Sequence, residues 1–196
     1  MSRFLRAIAW MVVLAAVVSC GRNYSAPSNL DDACAIARER PQYMRAMKKA
    51  ERRWGVPAPI LMAMIYQESK FIGNNRTPVR YALGVIPMGR QSSAYGYAQA
   101  LDGTWEEYQE EHGGRWAKRD DIKDATDFMG WYMTKTLEET GVALTDAKNQ
   151  YLAYHEGRAG YLRGSHNGKS WLLRISDDVA ARAAIYDVQL ASCGRR

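Results

Sequence analysis

The stretch PAPILMAMIYQESKF, residues 57–71, decides how this chain is read. Its two prolines suit a helix start, where a missing N–H costs nothing. Seven apolar residues, Ile60 to Tyr66, follow. Helix positions three and four apart share a face, so Leu61, Met64 and Ile65 stack in line with Glu68. A carboxylate therefore closes an apolar stripe. On one reading Glu68 only marks the helix end and swings out to water. On the other it is held against apolar surface, loses hydration, and its pKa rises toward neutrality. A carboxyl that keeps its proton near pH 7 can give it away as a general acid.

Outward from this helix the pattern is mainly α. Asp31 or Asp32 caps a short helix running to Arg40. PQYMRAMKKAERRW, residues 41–54, begins with proline and sets Tyr43, Met44, Met47, Ala50 and Trp54 on one stripe, with Gly55 as its stop. Residues 72–95, IGNNRTPVRYALGVIPMGRQSSAY, carry Gly, Pro, Asn and Ser throughout. They read as a long irregular loop with room for a short hairpin, and loops of this length are usually functional. Asp102 or Thr104 caps WEEYQEEH, which Gly113 and Gly114 end. DIKDATDFMGWYMTKTLEET repeats apolar residues at helical spacing through Ile122, Ala125, Phe128 and Tyr132. A further helix spans Thr145 to Glu156, stopped by Gly157, and a last one starts at Ser176 or Asp177 and runs to Leu190.

The N-terminus reads differently. Arg3 and Arg6 precede an apolar run, Ala7 to Val18, which is shorter than the ~20 residues of a membrane span. Residues 1–19 are expected to be a signal peptide. Val17-Val18-Ser19-Cys20 resembles the bacterial lipobox, which would make Cys20 the lipidation site; a plain secretory signal with an incidental cysteine is the alternative. Gly21 rather than aspartate after Cys20 points to the outer membrane, facing the periplasm. Residues 20–30, rich in Gly, Ser, Pro and Asn, then serve as a lipidated tether, and residues 31–196 form one domain. Of the three cysteines, Cys34 and Cys193 remain. An oxidising compartment would allow a bridge between them; two unpaired buried thiols are the other possibility. Cutting after residue 19 removes two arginines and no acid, so the net charge falls from +6 to +4. That mild excess suits a polyanionic cell wall among other partners, and no Lys/Arg run points to nucleic acid. His112, His155 and His166 have no zinc-site spacing, and no metal or cofactor is expected.

Three segments in order carry a resemblance. ESKF at 68–71, YGYAQALDGTWEEY at 95–108 and YLAYHEG at 151–157 resemble the motifs of the SLT-type lytic transglycosylases of the lysozyme-like superfamily. Those motifs are Glu-Ser at a helix end, Gly-Leu-Met-Gln followed by Thr-Trp, and Ala-Tyr-Asn followed by Gly. The matching positions are Glu68-Ser69, Gly96-Tyr97-Ala98-Gln99 with Thr104-Trp105, and Ala153-Tyr154-His155 with Gly157. The likeness covers roughly Met47 to Leu162. It departs at Tyr97, Ala98 and His155, and in the longer gap between Glu68 and Gly96.

The resemblance implies a lysozyme-like domain with a long loop after the catalytic helix. It makes Glu68 the only catalytic acid/base and Tyr154 the hydroxyl that orients it. Ser69, Gly96, Gln99 and His155 would line the glycan site, with Tyr95 and Tyr97 offering aromatic faces to sugar rings. Glu156 reads as a helix-end residue. Asp102, Glu106 and Glu107 match no catalytic position, so a second carboxylate is not expected. The implied reaction is cleavage of the β-1,4 bond between N-acetylmuramic acid and N-acetylglucosamine in peptidoglycan, leaving a 1,6-anhydro end. A hydrolytic muramidase, or a non-catalytic glycan-binding or scaffolding lipoprotein, are the alternatives.

Overall fold

The computed structural model describes residues 24–194; the expected signal peptide, residues 1–19, and the expected lipidation site Cys20 lie outside them. The order of elements is α1 (Ala33–Glu39), α2 (Pro41–Trp54), α3 (Ala58–Ser69), β1 (Val79–Ala82), β2 (Ile86–Arg90), α4 (Asp102–Tyr108), a π-turn (Gln109–Gly113), α5 (Ile122–Thr140), α6 (Ala147–Glu156), α7 (Arg158–Leu162) and α8 (Ser170–Ser192). The class is mainly α, as the periodicity indicates.

Helix α3 is the axis. Ala58 through Ile65 are all buried, on every azimuth rather than one stripe, because α8, α2 and α5 enclose the helix. An all-round apolar helix belongs in the middle of a domain. Pro57 and Pro59 leave few N–H groups to cap, and the Glu51 carboxylate of α2 accepts the Ala58 N–H at 3.2 Å. The helix ends abruptly. Lys70 and Phe71 both adopt positive φ, 51° and 61°, which costs energy for residues with a Cβ. The turn drives Phe71 into the core, stacked on Tyr43 at 5.7 Å.

Helices α2 and α5 cross where Gly130 leaves room for Trp54; a Cβ there would sit 2.4 Å from the indole. Asp127 of α5 stitches three elements, accepting from Arg53 at 2.7 Å, Trp54 Nε1 at 3.1 Å and the Tyr108 hydroxyl at 2.8 Å. Trp105, Tyr108, Phe128, Trp131 and Tyr132 continue the core as a chain of ring contacts, and Tyr132 meets Tyr154 of α6 edge-on at 5.0 Å. Cys34 and Cys193 are bonded, joining α1 to the end of α8 with Cα atoms 6.3 Å apart.

Several boundaries differ from expectation. Asp32, not Asp31, caps α1, accepting from Cys34 and Ala35 N–H. Residue Asp102 lies inside α4 rather than capping it, since Leu101 precedes the helix. Helix α8 begins at Ser170, because Trp171 and Leu172 continue the pattern while Lys169 supplies no capping side chain. The short α7 carries no capping side chain either. The segment read as a tether is docked from Tyr24 onward. The Tyr24 carbonyl accepts Gly73 N–H at 3.1 Å, Pro27 is buried, Ser28 bonds Glu39, and the Leu30 carbonyl accepts the Tyr186 hydroxyl. Its polar composition hides the three side chains, Tyr24, Pro27 and Leu30, that hold it down.

Candidate active site

Glu68 occupies the last turn of α3, where the helix leaves the core. The residue keeps a partly exposed edge, but its carboxyl is packed among protein atoms. Desolvation pushes its pKa from 4.5 up to about 8. Two weaker influences act the other way: the Lys70 ammonium, and a hydrogen bond from the Tyr151 hydroxyl. Lys70 is held close by the left-handed turn at the helix end, its Nζ 3.7 Å from the centre of the Tyr66 ring. The carboxyl is thus neutral at rest beside two groups that favour its anion.

Helix α6 supplies the opposing surface. Tyr151, Tyr154 and His155 stand at spacings of three and four, hence on one face. Tyr151 is the residue whose hydroxyl reaches Glu68; its own pKa is raised by burial and then by the Glu68 charge. Tyr154, expected in that role, instead donates to the Ala98 carbonyl and so ties the third motif to the second. It still feels the Glu68 charge, after burial the largest influence on its raised pKa.

The second motif is structural in large part. Tyr97 is buried, its hydroxyl 3.0 Å from that of Tyr43, so it is a core residue and not a sugar platform. Gly96 is required by its φ of 84° and by the Arg119 carbonyl, which a Cβ would meet at 2.1 Å. Tyr95 lies under the Arg76 guanidinium at 4.1 Å and donates to Asp120 at 3.3 Å. Gln99 gives its amide to the carbonyls of Asn75 at 3.1 Å and Gly96 at 2.8 Å, clamping the long loop, and also borders a cleft. Ser69, expected at the substrate, is buried and donates back to the Ile65 carbonyl at 3.2 Å.

That cleft, of about 230 Å³, is bordered by Gln99, Thr104, Tyr132, Tyr154, His155 and Glu156. His155 is exposed, meets Trp171 edge-on at 5.3 Å and lies 3.0 Å from Glu156 through Nδ1. Glu156 is more than a helix end. Lys169 donates to both its oxygens, at 2.8 and 2.9 Å, and this pairing holds its pKa below the usual carboxylate value. Glu68 and Glu156 are therefore driven in opposite directions, one toward the acid and one toward the anion. Asp102 is paired with Arg119, and Glu107 with Lys135 and Arg158.

The sequence reading missed Tyr151, Lys70 and Trp171. Tyr151 was recoverable, since it shares a face with Tyr154 and His155. Lys70 gave no signal, because its approach to Glu68 depends on a non-glycine residue adopting positive φ. Trp171 falls in the first turn of α8, ahead of the helix start expected at Ser176 or Asp177. A direct test of the tyrosines is available. Tyr151→Phe is expected to lower turnover roughly tenfold and to move the basic limb of the pH profile upward, because a group favouring the Glu68 anion is removed. Tyr154→Phe should leave that limb in place. Equal pH profiles for the two variants would refute the assignment.

Comparison with protein families places this geometry in context. The family model described as the transglycosylase SLT domain matches residues 8–193, a wider span than the motifs cover, and the chain belongs to that family. It is a lytic transglycosylase domain of the SLT, lysozyme-like type, whose general function is to cut peptidoglycan glycan strands. Comparison with the curated proteins finds no match.

Proposed function

We propose that this protein is a membrane-bound lytic transglycosylase in which Glu68 alone serves as acid and then base. The observation that carries the reading is a carboxyl whose pKa stands at about 8 at the end of the central helix, beside Lys70 and Tyr151. The neutral Glu68 gives its proton to the glycosidic oxygen between N-acetylmuramic acid and N-acetylglucosamine, and the C1–O bond breaks. The N-acetyl oxygen of the muramic residue covers C1 from the other side. Glu68 is now an anion, favoured by Lys70 and by the Tyr151 hydroxyl. It takes the proton from the 6-hydroxyl, whose oxygen bonds C1 and displaces the N-acetyl oxygen. The strand ends in a 1,6-anhydro ring, and Glu68 has recovered its proton.

A single group can do both jobs only if its two forms lie close in free energy near the working pH, and a pKa near 8 supplies that condition. The fixed anion at Glu156 is engaged by Lys169, which supports a one-carboxylate route over a pair. Attachment to the outer membrane through a lipid on Cys20, facing the periplasm, completes the reading; it rests on residues outside those described. Mass spectrometry of digested sacculi tests the chemistry. Anhydro-terminated muropeptides are expected; free reducing ends would make the protein a muramidase, and intact sacculi with bound protein would make it a scaffold.

A further inference from the structure

The loop between α3 and α4 holds a feature that the glycan chemistry does not use. Residues 79–90 form an antiparallel hairpin in which Tyr81 pairs with Pro87 and Ala82 with Ile86. The hairpin makes its strand contacts with itself and leaves its apolar side chains in solvent: Leu83 is 90% exposed, Val85 76% and Met88 65%. From Ala82 to Gly89 no side chain carries a nitrogen or an oxygen. The turn itself is costly. Leu83 adopts φ 52° beside Gly84 at 75°, a place where asparagine and glycine are the usual choices. A leucine there bears backbone strain and full hydration together.

Charge and position identify what covers the tip. Residues 72–95 contain Arg76, Arg80 and Arg90 and no acid. The Tyr24 carbonyl accepts the Gly73 N–H, so the first described residue sits at the root of this segment. Cys20 is four residues further back, a reach of roughly 14 Å. A β-strand of this length spans about the same distance. No helix among the described residues is long and apolar enough to cross a membrane. A glycan strand offers hydroxyls and amides, which an apolar tip cannot match. A bilayer with anionic headgroups matches both the tip and its arginine collar.

We propose that the 79–90 hairpin is a second membrane contact, its tip from Leu83 to Met88 inserting among acyl chains while Arg80 and Arg90 meet anionic headgroups. The use made here of the N-terminus rests on the lipid attachment proposed above; the exposure and composition of the tip stand apart from it. Two contacts at one edge would fix the orientation of the domain on the surface, which a single tether leaves free.

Photocrosslinking in the full chain tests this. A diazirine amino acid is placed at 83, 85, 22 or 188, and the protein is irradiated on vesicles of phosphatidylethanolamine and phosphatidylglycerol. Val188, 70% exposed on α8, is the background site. Lipid adducts at 83 and 85 at least tenfold above 188 are expected. With the probe at 88, the pair Leu83→Asp and Val85→Asp should cut the yield at least tenfold. Adducts at 83 no higher than at 188, or adducts to a second copy or another protein in place of lipid, overturn the proposal. Lipid at 22 without lipid at 83 refutes the hairpin and keeps the anchor; the reverse refutes the anchor and keeps the hairpin.

Discussion

Glu68→Gln is expected to abolish peptidoglycan cleavage, by roughly 10³-fold or more, and to make the protein more stable at alkaline pH. Glutamine keeps the shape and removes the transferable proton. The stability effect follows from the same carboxyl. In the unfolded chain Glu68 ionises near 4.5, and in the folded one near 8. Between those values the unfolded state has released a proton that the native state retains, so raising the pH favours unfolding. The stabilising share is full below pH 4.5 and is lost as pH climbs to about 8, at no more than ~1.4 kcal/mol per pH unit. Partial exposure of the residue reduces this, and the variant should exceed the wild type by about 2–3 kcal/mol at pH 8, with near equality at pH 4. Urea melts at the two pH values measure it. Wild-type activity should fall on a basic limb near pH 8, since the acid form is lost there. A stability gain that is the same at both pH values, with no basic limb, would mean the carboxyl is not held neutral.

The second large effect concerns the bond between Cys34 and Cys193. It closes a loop of 159 residues, and replacing both cysteines with serine is expected to cost about 3–5 kcal/mol. Several non-covalent contacts already dock α1 on α8. Gln189 bonds the Ala33 N–H and the Asp31 carbonyl, and Arg182 bonds Asp31 at 2.9 Å. These contacts hold the native state together but do nothing to the unfolded chain, whose freedom the disulfide restricts. The native structure should therefore survive the change while its melting temperature drops by roughly 10 °C. A loss under ~1 kcal/mol would mean that the unfolded ensemble is already compact.

The two membrane proposals meet at one surface. If the lipid on Cys20 and the hairpin both touch the bilayer, the enzyme acts on glycan at a set height above it, and the long loop that departs from the family pattern gains a purpose.

What the sequence determined alone is what local chemistry controls. Helical spacing located α2, α3 and α5; proline and glycine marked the ends of α2; the apolar run of α3 put Glu68 at the end of an apolar stripe. Motif order indicated the family, which the family match shows. What only the tertiary structure decided is which neighbours fill the space around those elements. Tyr151 and Tyr154 lie on one face of α6, and nothing in their spacing says which hydroxyl meets Glu68 and which meets Ala98. Tyr97 and Ser69 read as site residues until packing carried them inward. Periodicity is a property of consecutive residues, whereas the burial that raises the Glu68 pKa, and the Tyr151 hydroxyl that reaches it from α6, exist only once the chain has folded.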